Sequence, residues 1–95
     1  MASIWRLTTP DAPPSIRDWE GDFVVYNPLS GDTHMLDIVS GETLKALSAG
    51  AIAEEDLRAH IANFLEVPND ATLLENLRRI LAHLDELGLI EPAGI

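Results

Sequence analysis

The sequence has no cysteine. That removes disulfide stapling, thiolate metal ligation and a cysteine nucleophile at once. Basic residues are nearly as scarce: six Lys and Arg against sixteen Asp and Glu leave a net charge of −10, with a pI near 4.4. Such a chain repels polyphosphate and anionic lipid, so nucleic acid and membrane surfaces are poor partners. No run approaches the ~18 consecutive apolar residues of a membrane span, and Met1 to Leu7 lacks the basic-then-apolar pattern of a secretory signal. A cytoplasmic protein is the expectation. Neither GxGxxG nor GxxxxGK[ST] can be written with the six glycines, so nucleotide binding has no motif behind it.

What is present is the balance of a folded chain, with 46% hydrophobic and 23% charged residues over 95 positions. Surface scaling lets a chain of this size bury about 64% of its unfolded area, enough for one modest core. A single domain over 1–95 is expected, with no room for a cleft between two domains. The prolines at 10, 13, 14, 28, 68 and 92 fall between periodic segments and divide the chain into elements. Ile4 to Leu7 and Ile16 to Trp19 read as short strands separated by a proline-rich connector. Phe23-Val24-Val25-Tyr26, wholly aromatic or β-branched, is the strongest strand, and Thr33 to Leu36 returns from the Asn27–Gly31 turn.

Helices follow. Asp37 is placed to cap a helix over about Ile38 to Ser48, inside which Gly41 costs ~1 kcal/mol relative to alanine and so marks a close backbone approach. A second helix, about Ala53 to Leu65, carries Glu54, Glu55 and Asp56 where the positive end of the helix dipole favours them. Its expected buried stripe is Leu57, Ile61, Phe64 and Leu65. The third, capped at Asn69 or Asp70, runs to about Leu87 before Gly88. Leu73, Leu77, Ile80, Leu84 and Leu87 share one of its faces, and Leu74 and Leu81 widen that stripe to roughly 140°. Either the chain's own core covers both flanks, or Leu74 and Leu81 form an exposed apolar ledge rimmed by Arg78. Strands followed by three helices predict an α+β domain: a small winged-helix-like fold, with a three-stranded antiparallel meander, an additional N-terminal strand candidate and a three-helix unit.

The residues offer little catalysis. His34, His60 and His83 share no ligand spacing, the serines lack a nucleophile-elbow context, and the carboxylates are dispersed. A non-enzyme without cofactor or metal is expected. Arg78-Arg79 on the third helix raises a winged-helix DNA regulator as a rival. Glu75, Asp85 and Glu86 flank that pair, however, and the charge is −4 over residues 1–48 and −6 over 49–95, so no basic half exists. Recognition of peptide or protein remains. An edge strand offers unpaired amides and carbonyls to an extended peptide, and Thr33 to Leu36 beside the third helix is the natural candidate. The same edge can pair with a second copy of the chain.

Phe23-Val24-Val25-Tyr26-Asn27, Ser30-Gly31-Asp32-Thr33-His34-Met35-Leu36, Thr43-Leu44 and Leu47 together resemble the PqqD-like peptide chaperones. More narrowly, they resemble the PqqD-related group found beside an HPr-kinase-like protein. The likeness runs from Trp5 to Ile90, with Leu36-Asp37 where the family has a Leu-Asn pair and Leu84, Gly88, Leu89 and Ile90 matching the family's ending. Departures are Gly41 for alanine, Thr43 for isoleucine, Ala49-Gly50 for an Asp-Gly turn and Asn76 for an aspartate. The resemblance implies a non-catalytic winged-helix recognition element that binds the leader of a ribosomally made precursor peptide and acts with a modifying or HPr-kinase-like enzyme. It further implies that the leader adds as a strand along Asp32, Thr33, His34, Met35 and Leu36 and leans on Leu74, Arg78 and Leu81. An adaptor subunit docked permanently on a kinase-like or biosynthetic enzyme is the alternative.

Overall fold

A computed structural model describes residues 3–93, so the two residues at each end of the expected 1–95 domain lie outside it. In chain order it contains β1 (Ile4–Leu7), β2 (Ser15–Trp19), β3 (Asp22–Tyr26), β4 (Thr33–Leu36), α1 (Ile38–Ser48), β5 (Ile52–Ala53), α2 (Glu54–Leu65), α3 (Ala71–Glu86) and β6 (Ile90–Pro92). The class is α+β: two small antiparallel three-stranded sheets and three helices.

The first sheet has the order β2-β3-β4 and is built from two hairpins. Trp19 pairs with Asp22 across a two-residue turn in which Glu20 (φ 51°) and Gly21 (φ 92°) are both left-handed. Positive φ at both central residues is the turn whose twist matches the flanking strands. In the longer hairpin, the Asn27 N–H donates to the Asp32 carbonyl at 2.9 Å and the Gly31 N–H to the Asn27 carbonyl at 2.8 Å. The Asn27 side chain accepts from the Leu29 N–H within the loop. Alternation along the strands turns Phe23, Val25 and Leu36 into the core, against α1.

Asp37 caps α1, its carboxylate accepting from the Ser40 N–H at 2.7 Å. Gly41 lies against the Phe23 ring, which occupies the place a Cβ would take. The Lys45 ammonium sits 5.3 Å from the centre of that ring. The close approach expected at Gly41 is therefore the seat of Phe23. Asp70 caps α3 in the same way, accepting from the Leu73 N–H. Leu57 and Ile61 of α2 are buried, but Phe64 stays exposed in the last turn. Periodicity sets the face on which Phe64 falls, not whether another element reaches that turn.

The second sheet, ordered β5-β1-β6, departs from the sequence expectation. Of its strands the sequence pattern predicts only β1, and it places Ala53 in the second helix and Pro92 between elements. Ile4 pairs with Ala53, Trp5 with Ile52 and Pro92, and Leu7 with Ile90. Pro92 is tolerated because β6 is an edge. The Trp5 indole N–H and the Arg78 Nε–H both donate to the Glu54 carboxylate, at 3.4 and 2.9 Å, tying this sheet to the start of α2 and to α3. One core cluster draws on both sheets and all three helices, with Leu44, Leu57, Leu81 and Leu84 fully buried.

Candidate functional site

Which groups β4 offers at its outer side follows from hydrogen-bond alternation. The Asn27 N–H to Asp32 carbonyl bond makes that pair a hydrogen-bonded one. Opposed residues alternate between bonded and non-bonded pairs along an antiparallel ladder. The register Tyr26–Thr33, Val25–His34, Val24–Met35 and Phe23–Leu36 then assigns His34 and Leu36 to bonding with β3. Thr33 and Met35 turn their N–H and C=O groups outward, where β4 has no neighbouring strand among the described residues. The tight turn at the other hairpin gives the same parity: Trp19–Asp22 closes it as a bonded pair, so Asp22, Val24 and Tyr26 bond toward β2, leaving Phe23 and Val25 for β4.

Asp37, the residue that follows β4, lines a groove of about 240 Å³. Asp37 and Val39 line it from α1, Ile61 and Leu65 from α2, and Leu73, Asn76, Leu77 and Ile80 from α3. A second hollow of about 350 Å³ shares Leu65, Leu73 and Asn76 with it and extends the depression over Val67, Pro68, Asp70 and Thr72. The walls are apolar, and the charged groups among these lining residues are the capping carboxylates Asp37 and Asp70. An extended ligand on β4 that continues past Asp37 meets a surface able to bury apolar side chains beside anionic oxygens.

The sequence-expected residues divide between different places. Asp32 closes the β3–β4 hairpin, and Thr33 and Met35 are exposed on the edge strand. Leu36 is buried, and His34 points inward with its Nε2 buried and without a hydrogen-bond partner. The ledge of Leu74, Arg78 and Leu81 requires correction. Leu81 is 0% exposed, Leu74 is half-buried, and the Arg78 guanidinium is engaged with Glu54. Leu81 on that flank of α3 is taken into the chain's own core, and the exposed Arg78 side chain reaches Glu54 at the start of α2, next to β5, while α3 also touches β6. The physical reason is that β5 and β6 are too short to leave a periodic signal, so nothing in the sequence showed that this flank would be covered.

The groove uses the opposite flank. Asn76 and Ile80 lie about 140° and about 100° around the helix from Leu81 at 100° per residue. None of the groove's lining residues, Ile61 and Asn76 among them, belongs to the site expected from the sequence. The signal for them in the sequence is Asn76, a polar residue beside the Leu73–Leu77–Ile80 face.

His60 Nε2 lies 2.9 Å from a Glu42 carboxylate oxygen, joining α2 to α1, and His83 is exposed in the last turn of α3. Among the described residues no three His, Cys, Asp or Glu side chains gather as a metal-ligand set, and no helix is long and apolar enough to cross a membrane. Comparison with protein-family models, curated proteins and solved structures finds no match to this chain.

Proposed function

We propose that this chain is a non-catalytic peptide-recognition domain that takes an extended segment as a fourth strand on β4. In this reading the segment is the leader of a ribosomally made precursor, held in the cytoplasm for a modifying enzyme. The observation that carries it is the outward N–H and C=O groups of Thr33 and Met35 on a strand whose next residue, Asp37, lines the groove. The PqqD-like resemblance supports the same reading.

Magnitudes assign a task to each part. Two donors and two acceptors at about 1 kcal/mol net each do not outweigh the ~4–15 kcal/mol cost of association. Apolar side chains in the groove, each contributing roughly 1.5–3 kcal/mol, must supply the surplus. The edge fixes register and the groove supplies affinity. With Asp37 and Asp70 at the groove and a net charge of −10, the peptide carries basic residues near its apolar anchors.

Titration of the isotopically labelled chain with peptides spanning precursors encoded nearby tests the reading. The Thr33 and Met35 amides are expected to shift together with the side-chain amide of Asn76. Peptides that bind without moving the Thr33 and Met35 amides would refute strand addition.

A further inference from the structure

The alternation that buries Phe23, Val25 and Leu36 turns Arg17, Trp19, Val24, Tyr26 and Met35 to the other side of the β2-β3-β4 sheet. These residues adjoin one another. Arg17 and Met35 are both cross-strand partners of Val24, while Trp19 and Tyr26 lie two residues along from Arg17 and Val24 on the same face. Trp19 is 63% exposed, Met35 65% and Tyr26 45%. Scattered exposed apolar residues need no explanation, but a contiguous set does. Trp, Tyr, Met and Arg are the types enriched where protein surfaces meet, and Trp, Tyr and Arg dominate binding hot spots.

Charge selects the occupant. Glu20 and Asp22 at the β2–β3 turn and Asp32 in the β3–β4 loop are exposed at the ends of this sheet, while Asp18, the partner of Phe23, belongs to its other face; Arg17 is the single Lys or Arg between residues 15 and 36. A second copy would bring two acidic rims and two chains of charge −10 together, and nucleic acid or anionic lipid would be repelled equally. Shape also selects. The grooves lie between the helices, whereas this face is an open pleated surface, suited to a matching folded surface and not to a threaded peptide. We propose that the outer face of β2-β3-β4 docks a folded protein domain whose contact surface has an apolar centre inside a rim of Lys and Arg. A standard interface buries about 800 Å² per partner. The partner therefore reaches past the strands onto the β3–β4 loop, where Leu29 is 69% exposed.

The proposal stands apart from peptide recognition at the β4 edge, and the reporters differ. The labelled chain is titrated with each purified protein encoded by the adjoining coding regions, following the indole resonances of Trp19 and Trp5. Trp5 is the internal reference, because its N–H is bonded to Glu54 on the far sheet. With one of these proteins the Trp19 indole and the Arg17, Val24 and Tyr26 amides are expected to move while Trp5 stays. Trp19→Ala should weaken binding about 30-fold or more. Raising salt from about 0.05 to about 0.5 M should weaken it about tenfold. Arg79→Ala, on an exposed position of α3, should leave it unchanged. The proposal is overturned by absence of binding, by shifts confined to the helices, by an unaffected Trp19→Ala variant, or by sedimentation showing a second copy covering Trp19. Peptides that move the Thr33 and Met35 amides but not the Trp19 indole leave the peptide reading standing even if this one fails.

Discussion

The two sheets have equal strand counts and opposite origins. The β2-β3-β4 sheet is a local object: three consecutive strands, two hairpins and one register carried from turn to turn. The β5-β1-β6 sheet gathers segments of four, two and three residues from the beginning, middle and end of the chain. Local pairing costs little loop entropy and can leave an edge and a face open, whereas non-local pairing must be held by its surroundings. Accordingly the second sheet is fastened by Glu54 to Trp5 and Arg78, by the Arg6–Glu91 ion pair at 2.6 Å, and by Leu7 and Ile90 in the core. The difference teaches where each kind of work is done. One sheet closes the fold; the other presents Thr33, Met35 and Trp19 outward.

The strongest way to break this contrast is through the flank of α3 that the second sheet helps cover. Leu81→Ala should cost about 2–5 kcal/mol in denaturant unfolding, and Leu74→Ala clearly less. Equal, small effects would return the Leu74–Leu81 flank to the exposed ledge the sequence allowed.

Next is a matched proline pair on β4. His34→Pro removes a donor bonded to β3 and should destabilise the hairpin by about 1–3 kcal/mol or more. Met35→Pro removes a donor that faces outward, where edge strands accept proline, and should cost less stability while abolishing peptide-induced shifts. The reverse order of destabilisation would invert the assigned parity.

Gly41→Ala tests the seat of the first sheet on α1. Alanine favours a helix by ~1 kcal/mol, but here its methyl overlaps the Phe23 ring, for a net loss of about 1–2 kcal/mol by thermal unfolding. A stabilised variant would show that the ring moves aside freely. On the second sheet, Glu54→Gln keeps the shape and removes the charge shared by Trp5 and Arg78. Because Arg78 is largely exposed, the expected loss is about 1 kcal/mol. Arg6→Ala, at an exposed pair, should cost less than about 1 kcal/mol.

Legibility followed the same division. The strand at Phe23 to Tyr26, the return at Thr33 to Leu36, the cap at Asp37 and the helix it starts were readable because each rests on neighbours in sequence: β-branched composition, a turn, a carboxylate two or three residues from an orphan amide. Ile52-Ala53 and Ile90 to Pro92 were not. Two or three residues hold no period, and their pairing depends on where Ile4 to Leu7 comes to rest. The candidate site was half legible. Its edge came from the strand pattern, but the choice between the two flanks of α3 depended on which one another part of the chain would cover, and the reading chose the Leu74–Arg78–Leu81 side.

By itself, then, the sequence determined a cysteine-free, acidic α+β chain of strands and three helices, and it drew the apolar stripe of α3, because composition and period act over a few residues. Only the tertiary structure decided that Glu54, Trp5 and Arg78 meet, that Leu81 is core while Asn76 and Ile80 line a groove, and that Thr33 and Met35 turn their backbone groups away from β3. Each of those facts depends on contacts between segments tens of residues apart, and burial and hydrogen-bond parity are properties of the pair and not of either residue alone.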